Sequence, residues 1–321
     1  MNTPLRTLAV AASILLLSAC AGTAPASQGA PAGADPEVLE VLASTSVYAD
    51  VARAVGGSAV RVSAIVEQTS QDPHSYEATA RDKLAVSKAD VVIANGGGYD
   101  PFMDALAEGP EQPGSPMLHA VDFLSDGGAE GAHASGDPTA PAGHDHAEGN
   151  EHVWYDVHTV GALARALADE YSALRPARAE EFTSAAAAFE ARIDTLAASL
   201  QALRPKGAGK EFAMTEPLAY YLLTEAGMED GTPAGVSAAM EAGEDLPPLL
   251  LKELGDGLAA HRYALLAVNV QTSGPQTDRV ASLAGASGVP VLELTETLPA
   301  GQDYISWMES NVQQLEVALG R

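Results

Sequence analysis

Histidine and carboxylate side chains occur in this chain at spacings suited to binding a metal ion. The stretch GHDHAEGNEHVWYDVH (143–158) contains His144, His146, His152 and His158, although the whole chain has only 8 histidines. Imidazole nitrogen combined with carboxylate oxygen suits zinc, manganese or iron(II), whereas calcium and magnesium prefer oxygen ligands alone. The question is which of these histidines share one metal site with carboxylates.

Four loops carry one side chain each that could bind such an ion. They are His74 after the strand-like VRVSAIV, His152 in EHVWYD, Glu216 after KEFAMT and Glu296 after VPVLELT. Loops at the carboxyl ends of parallel strands gather ligands in α/β folds. A single strand-end histidine would be weak evidence, but four side chains at equivalent topological positions predict one site. We expect two imidazoles and two carboxylates in a cleft.

The elements that must position these side chains follow an α/β pattern. From Glu37 strands alternate with helices, which indicates βαβ units and parallel sheets. Between two such runs, apolar residues recur at helical period in one long segment: Phe182, Phe189, Ile193, Leu196, Leu200 and Leu203. A helix of this length spans about 42 Å, which is longer than one lobe requires. The predicted fold class is α/β, with two lobes, each with a mostly parallel sheet flanked by helices, joined by one long helix.

The pattern also predicts the limits of the domains. We expect an N-terminal α/β lobe at 37–175, a linking helix at 176–205 and a C-terminal α/β lobe at 206–321. Residues 125–151 lack periodicity and are rich in glycine, so we predict a mobile loop there.

The N-terminus is typical of an exported, lipid-anchored protein. Arg6 precedes an apolar run that is too short to span a bilayer but fits a secretory signal, predicted at 1–19. LSAC resembles a bacterial lipobox, so we expect Cys20 to be lipidated and 20–36 to form a flexible tether. The alternative is an ordinary signal with a chance cysteine. Cys20 is the only cysteine, which excludes a disulfide.

Charge and missing motifs exclude other functions. The chain has 17 basic and 43 acidic residues, which argues against binding nucleic acid or anionic lipid. It lacks HExxH, a nucleophile elbow and a phosphate-binding loop. The glycine-rich NGGGYD (95–100) follows a strand but has no P-loop lysine, so we interpret it as a close-approach turn.

Four motifs carry a resemblance to a known family: DPHSYE (72–77), EHVWYD (151–156), TEPLAYYL (215–222) and VPVLELTETLPAGQDYISWM (289–308). They resemble the signature regions of the metal-binding lipoproteins and periplasmic proteins of zinc and manganese ABC importers, the cluster A-I substrate-binding proteins. The resemblance covers essentially the whole mature chain, including the long helix.

The resemblance implies a set of ligands. His74 and His152 would supply nitrogen, and Glu216 stands where the family has histidine or glutamate. Glu296 occupies a position that is usually aspartate, which leaves its denticity open. Glu293 and Asp303 are nearby alternatives to Glu296. Asp156 could either orient His152 or cap the following helix.

The resemblance also implies a cargo and partners. We expect a monomer that delivers its ion to an ABC permease, with the ATPase as a further partner through the permease. Two clues to the metal disagree: two histidines with two carboxylates resemble the manganese-type members, whereas His133, His144 and His146 resemble the histidine-rich loop of zinc-specific members. We favour Zn²⁺ with Mn²⁺ as the alternative, and we predict weak metal capture by this loop unless it is a spacer with incidental histidines.

Two other classes remain as alternatives. A surface-anchored metallohydrolase would need an open coordination position and a general base beside the bound water; four protein ligands would fill a zinc shell, so we expect no enzyme. A siderophore- or haem-binding relative would need an open cleft lined by arginine or tyrosine. For a metal-binding protein, affinity is expected to fall as pH falls toward six, because both imidazoles must be deprotonated.

Overall fold

The structure, a computed structural model, describes residues 38–108, 116–125 and 149–320. The elements below all lie in the compact unit Pro36–Arg321. Several sequence predictions lie outside the described residues: the signal at 1–19, the tether at 20–36 with its anchor Cys20, and the loop residues His133, His144 and His146.

Strands in the described residues form two parallel sheets of four strands each. The strands are β1 (Leu39–Thr45), β2 (Val60–Val66), β3 (Val91–Ala94), β4 (Met117–His119), β5 (Glu211–Met214), β6 (Glu229–Asp230), β7 (Tyr263–Asn269) and β8 (Val291–Leu294). The first sheet has the order β2-β1-β3-β4 and the second has the order β6-β5-β7-β8. The two orders are the same when β5 is matched with β1, so the halves repeat one topology.

Helices cover both faces of the sheets. They are α1 (Ser46–Gly56), α2 (Ala80–Val86), α3 (Pro101–Ala107), α4 (Val157–Leu174), α5 (Ala179–Gly207), α6 (Tyr220–Glu225), α7 (Val236–Glu241), α8 (Pro248–Ala259), α9 (Pro275–Ala286) and α10 (Tyr304–Leu319). The predicted α/β fold class with one long helix is confirmed. The sequence pattern did not reveal β6 and α7, which lie in a stretch rich in glycine and short in apolar periodicity.

One hydrophobic cluster spans both halves of the protein. Alternate residues of β1 face opposite sides: Leu39 and Val41 enter a central cluster, whereas Leu42 enters a separate cluster under α2 and α3. The central cluster continues through the buried stripe of α5 to Phe212 and Leu265 of the second sheet. A core that is continuous between the halves opposes large movements of one half against the other.

The long helix α5 packs by the stripe that the sequence predicts, and all six residues of that stripe are buried. A short 3₁₀ turn, Pro176–Arg178, precedes it, and the helix ends at Gly207. None of the helices in the described ranges is both long and apolar enough to cross a bilayer.

Two glycines give a matched test of this packing. A Cβ on Gly207 would lie 2.2 Å from the carbonyl oxygen of Ala226, whereas a Cβ on Gly285 of α9 would meet nothing within 4 Å. We expect Gly207→Ala to lower the free energy of unfolding by about 1–3 kcal/mol through overpacking. Gly285→Ala is expected to raise it by roughly 0.5–1 kcal/mol, since alanine favours a helix. Urea denaturation measures both, and a neutral Gly207→Ala would contradict the packing described.

Candidate metal-binding site

A turn stabilised by Asp72 positions His74. The Asp72 carboxylate accepts hydrogen bonds from the backbone N–H of His74 (2.9 Å) and from the Ser75 hydroxyl (2.7 Å). The His74 ring packs edge-on against Tyr99, with ring centroids 4.7 Å apart. The aspartate of the DPH motif therefore holds the backbone so that the imidazole enters the cleft.

Asn150 orients His152. The Asn150 Oδ1 atom lies 2.8 Å from Nδ1 of His152 and also accepts the backbone N–H of His152, while the Asn150 Nδ2 atom donates to the Pro217 carbonyl. Because Oδ1 is an acceptor, the proton of a neutral His152 ring lies on Nδ1 and the lone pair of Nε2 faces the cleft. Nε2 is buried and has no hydrogen-bond partner among the described residues.

One amide joins the two predicted carboxylates. The Asn269 Nδ2 group donates to Glu216 Oε2 (2.5 Å) and to Glu296 Oε1 (2.6 Å). Thr272 donates to the other oxygen of Glu216, and Tyr99 donates to the other oxygen of Glu296. The exposed fraction is 4% for Glu216 and 0% for Glu296. Each oxygen keeps a second lone pair for a cation, so the hydrogen bonds fix the carboxylates without saturating them.

The glycine turn after β3 brings Tyr99 to the cleft. Gly96, Gly97 and Gly98 all have positive φ, and a Cβ on Gly98 would lie 3.2 Å from a carboxylate oxygen of Glu151. Only glycine adopts this path at low cost so close to a neighbouring side chain. The expected close-approach turn is therefore present, and it places a phenol between the two histidines and Glu296.

Two further carboxylates enter the site, and sequence reasoning missed both. Glu151 Oε1 lies 3.5 Å from Nδ1 of His74, and Glu241 Oε1 lies 3.5 Å from Nε2 of His152. Both Asn150 and Glu151 belong to the loop predicted at 125–151. In the structure Glu151 is buried and its carbonyl accepts from Asn95, while Asn150 is hydrogen-bonded to Pro217 and Tyr221. Glu241 ends α7, a helix that the pattern did not reveal.

The structure sorts the four predicted ligands into two neighbouring groups. His74 and His152 lie together, with ring centroids 5.9 Å apart. Glu216 and Glu296 share the Asn269 amide. In the described residues, potential ligand atoms of His74, His152 and Glu241 lie within 4.8 Å of one another, and neither predicted carboxylate joins this group.

The alternatives to these residues are placed elsewhere. Asp303 caps α10 by accepting the backbone N–H of Ser306, and the Glu293 side chain is exposed on β8. Asp156 accepts backbone N–H groups of His158 and Thr159 at the start of α4. Asp156 therefore caps α4, and the residue that orients His152 is Asn150.

Burial raises the pKa of the carboxylates in this space. The pKa of Glu151 rises to about 7, first through burial and then through Asp100 and Glu296. The pKa values of Glu241 and Glu296 rise to about 8 through burial and neighbouring carboxylates, and that of Glu216 is also raised, mainly by burial. Burial and His74 lower the pKa of His152 well below its usual value. Without a cation, burial therefore favours the protonated, neutral forms of these carboxylates.

Gln271 connects the loops that carry His74 and Glu296. Its side-chain oxygen accepts hydrogen bonds from the backbone N–H groups of Glu296 and Thr297, both at 3.1 Å, and from the Thr297 hydroxyl. Its side-chain nitrogen donates to the Gln71 carbonyl at 2.7 Å. One side chain therefore fixes a loop from each half at the same edge of the cleft.

The raised pKa values predict how stability depends on pH without metal. Acids whose folded pKa exceeds the unfolded value stabilise the protein fully only below the unfolded pKa, and this stability is lost as pH rises through the folded pKa. The melting temperature in chelator should fall by at least about 5 °C between pH 5 and pH 8.5. Glu296→Gln, which cannot ionise, should show a smaller fall. A wild-type melting temperature that is constant or rises over this window would contradict the burial described.

Replacing Gln271 tests the connection between the loops. Gln271→Ala leaves the three donors and the Gln71 carbonyl without this partner, so we expect a loss of about 2–4 kcal/mol in the free energy of unfolding. Gln313→Ala, an exposed site on α10, is the control and should change it by less than about 0.5 kcal/mol. Equal values for the two variants in denaturant titrations would count against the connection.

Comparison with known proteins supports the same fold. The periplasmic zinc-binding protein TroA from Treponema pallidum has a TM-score of 0.68 at 20% identity, with 88% of this chain and 100% of TroA covered. Such low identity shows the fold alone.

Curated relatives match at the level of sequence. The zinc-binding lipoprotein AdcA of Streptococcus pneumoniae (strain ATCC BAA-255 / R6) is 25% identical over 312 residues, which cover 95% of this chain and 60% of AdcA. The iron ABC transporter substrate-binding lipoprotein MtsA of Streptococcus pyogenes serotype M1 is 25% identical over 189 residues, covering 57% of this chain and 55% of MtsA. The matches thus span little more than half the length of these relatives.

A family model covers nearly the whole described chain. It matches residues 41–318, from β1 to the end of α10, and so includes both sheets, the long helix and every side chain of the cleft. The chain therefore belongs to the ZnuA family, described as the periplasmic component A of the zinc-uptake complex.

Proposed function

We propose that this protein is the extracytoplasmic solute-binding component of an ABC importer, which captures a divalent transition metal in the cleft and delivers it to a membrane permease. The observation that carries the proposal is the convergence of two imidazoles and several glutamates in one buried space. Among the described residues no lysine or arginine forms an ion pair with Glu151, Glu216, Glu241 or Glu296. The negative charge of the site is therefore left for a cation.

The ligands that we propose are His74, His152, Glu216 and Glu296. The two histidines come from the first half and the two glutamates from the second, so one ion would join both halves. Asn150 orients His152, and Asn269 orients both carboxylates. Such outer partners raise affinity by fixing the geometry of the ligands before the metal arrives.

The cargo that we propose is Zn²⁺, with Mn²⁺ as the alternative. Two imidazoles and two carboxylates fill a tetrahedral zinc shell when each binds through one atom. If both carboxylates bind through two oxygens the same residues offer six donors, a number that suits manganese. AdcA is named as zinc-binding and MtsA as an iron transporter component, so relatives by themselves do not decide the ion.

We propose that binding is coupled to proton release from carboxylates more than from imidazoles. His152 is held neutral by burial, whereas Glu151, Glu241 and Glu296 have pKa values of about 7 to 8. A cation must displace their protons, so affinity should rise as pH rises through this window. The change in metal affinity is therefore expected at a higher pH than the value near six that the imidazoles alone would give.

We propose that the protein acts outside the cytoplasm, attached to the membrane through lipidated Cys20 and the tether 20–36. We also propose that it is a monomer that docks on the permease, and that the ATPase is its partner through the permease. The relatives AdcA and MtsA are both named lipoproteins. Loop residues His133, His144 and His146 would capture metal weakly before transfer to the cleft.

We also propose that the protein is not an enzyme. Glu151 and Glu241 are spare carboxylates that could act as a base beside a metal-bound water, which is the feature a hydrolase would need. However, the exposed fractions of His152, Glu216 and Glu296 are 0%, 4% and 0%. Side chains this buried offer little surface to an organic substrate, which favours storage and transfer of an ion.

Removal of single ligands tests the proposed function. Zinc binding by His74→Ala and Glu216→Ala should weaken by more than the roughly 10–100-fold that is typical for loss of an outer partner. Glu293→Ala removes an exposed carboxylate from β8 and should bind like the wild type. Metal content after equilibrium dialysis measures the effect. Retention of metal at wild-type affinity by both ligand variants would mean that the site is misplaced.

A further inference from the structure

Glu241 lies closer to the two histidines than the carboxylates named by the sequence motifs do. Potential ligand atoms of His74, His152 and Glu241 all lie within 4.8 Å of one another. Metal–ligand distances of about 2.0–2.3 Å put two ligands of one ion up to about 4.6 Å apart, so a small shift of these atoms would let a single ion bridge all three.

The contact between Glu241 and His152 lacks the partners that buried polar atoms normally have. Oε1 of Glu241 and Nε2 of His152 are 3.5 Å apart, and within the part of the chain that the structure describes each is buried without a hydrogen-bond partner. The exposed fraction is 12% for the Glu241 side chain and 0% for that of His152. Buried polar groups in native proteins are nearly always satisfied, and a cation between these two atoms would satisfy both.

Hydrogen bonds of neighbouring residues hold α7, and with it Glu241, at this place. The hydroxyl of Ser237 in α7 donates to the carbonyl of Met214, and the Met214 N–H donates to the Thr232 hydroxyl. Met214 ends β5, which leads directly to Glu216. Glu241 and Glu216 are therefore carried by one hydrogen-bonded substructure.

The repeated topology gives Glu241 the same place in the second half that His74 has in the first. His74 follows β2 and Glu241 follows β6, and these are the matching outer strands of the two sheets. Loops at the carboxyl ends of matching strands lie at matching positions on the sheet edge. The cleft therefore receives a metal-binding side chain from the segment that follows each of these two strands, a turn in the first half and the end of α7 in the second.

We propose that Glu241 is a direct ligand of the transported cation, a third carboxylate in addition to Glu216 and Glu296. This inference rests on the proposed function of the cleft. With two nitrogens and three carboxylates the site offers at least five donors, more than the four that zinc usually takes. Manganese accepts higher coordination numbers with oxygen ligands, so loss of Glu241 should weaken Mn²⁺ binding more than Zn²⁺ binding.

The experiment compares Glu241→Gln with Glu244→Gln. Glu244 is exposed and three residues further along, so its replacement removes the same charge without removing a ligand. We expect Glu241→Gln to weaken Mn²⁺ binding by at least about tenfold and Zn²⁺ binding by less. In the Co²⁺-loaded protein, the visible absorption should become stronger because a lower coordination number intensifies it. Glu244→Gln should match the wild type in all three measurements.

Two further variants separate the outcomes. Glu241→Asp keeps the charge but is one methylene shorter, and we expect an intermediate Mn²⁺ affinity; thermal unfolding in chelator verifies that each variant is folded. If Glu241→Gln binds Mn²⁺ and Zn²⁺ like the wild type with an unchanged Co²⁺ spectrum while His74→Ala loses metal, the role of Glu241 is wrong and the cleft remains the site. If Glu241→Gln and His74→Ala both bind metal like the wild type, the proposed function itself fails.

Discussion

Burial of negative charge without a basic partner is the constraint on which this structure depends. Glu151, Glu216, Glu241 and Glu296 lie around two imidazoles, and in the described residues their contacts are with amides, hydroxyls and those imidazoles. Arginine and lysine side chains form their ion pairs at the surface instead. Removing carboxylates from water without compensation is costly, so protons or a cation must neutralise them. A site of this kind exchanges one for the other, which suits reversible capture.

A repeated topology brings the ligands together. Both sheets have the same strand order, and their carboxyl edges face a common space. Asparagine ends or follows the matching third strands: Asn95 donates to the backbone of Glu151, and Asn269 donates to Glu216 and Glu296. The continuous core along α5 and the Gln271 connection hold the two edges in register. Such a scaffold fits release by movement of loops better than by separation of the halves.

Strong periodicity made much of this predictable. The β-branched strands and the apolar stripe of α5 are local patterns, and together with the four motifs they predicted that His74, His152, Glu216 and Glu296 share one cleft. Glu241 was missed because β6 and α7 are too short to show a period. Asn150 and Glu151 adjoin a glycine-rich stretch, and only contacts across the chain, to Pro217 and His74, order them. The roles of Asn269 and Gln271 likewise depend on hydrogen bonds between distant segments, which no local pattern encodes.

The most direct test of the cleft as the metal site is a crystal structure of the protein loaded with one equivalent of zinc, with anomalous data collected on both sides of the zinc edge. We expect one dominant anomalous peak between the two sheets, about 2.0–2.2 Å from nitrogen atoms of His74 and His152 and from carboxylate oxygens of the cleft glutamates. A dominant peak outside the cleft, with the imidazoles and carboxylates still in contact only with one another, would contradict the account.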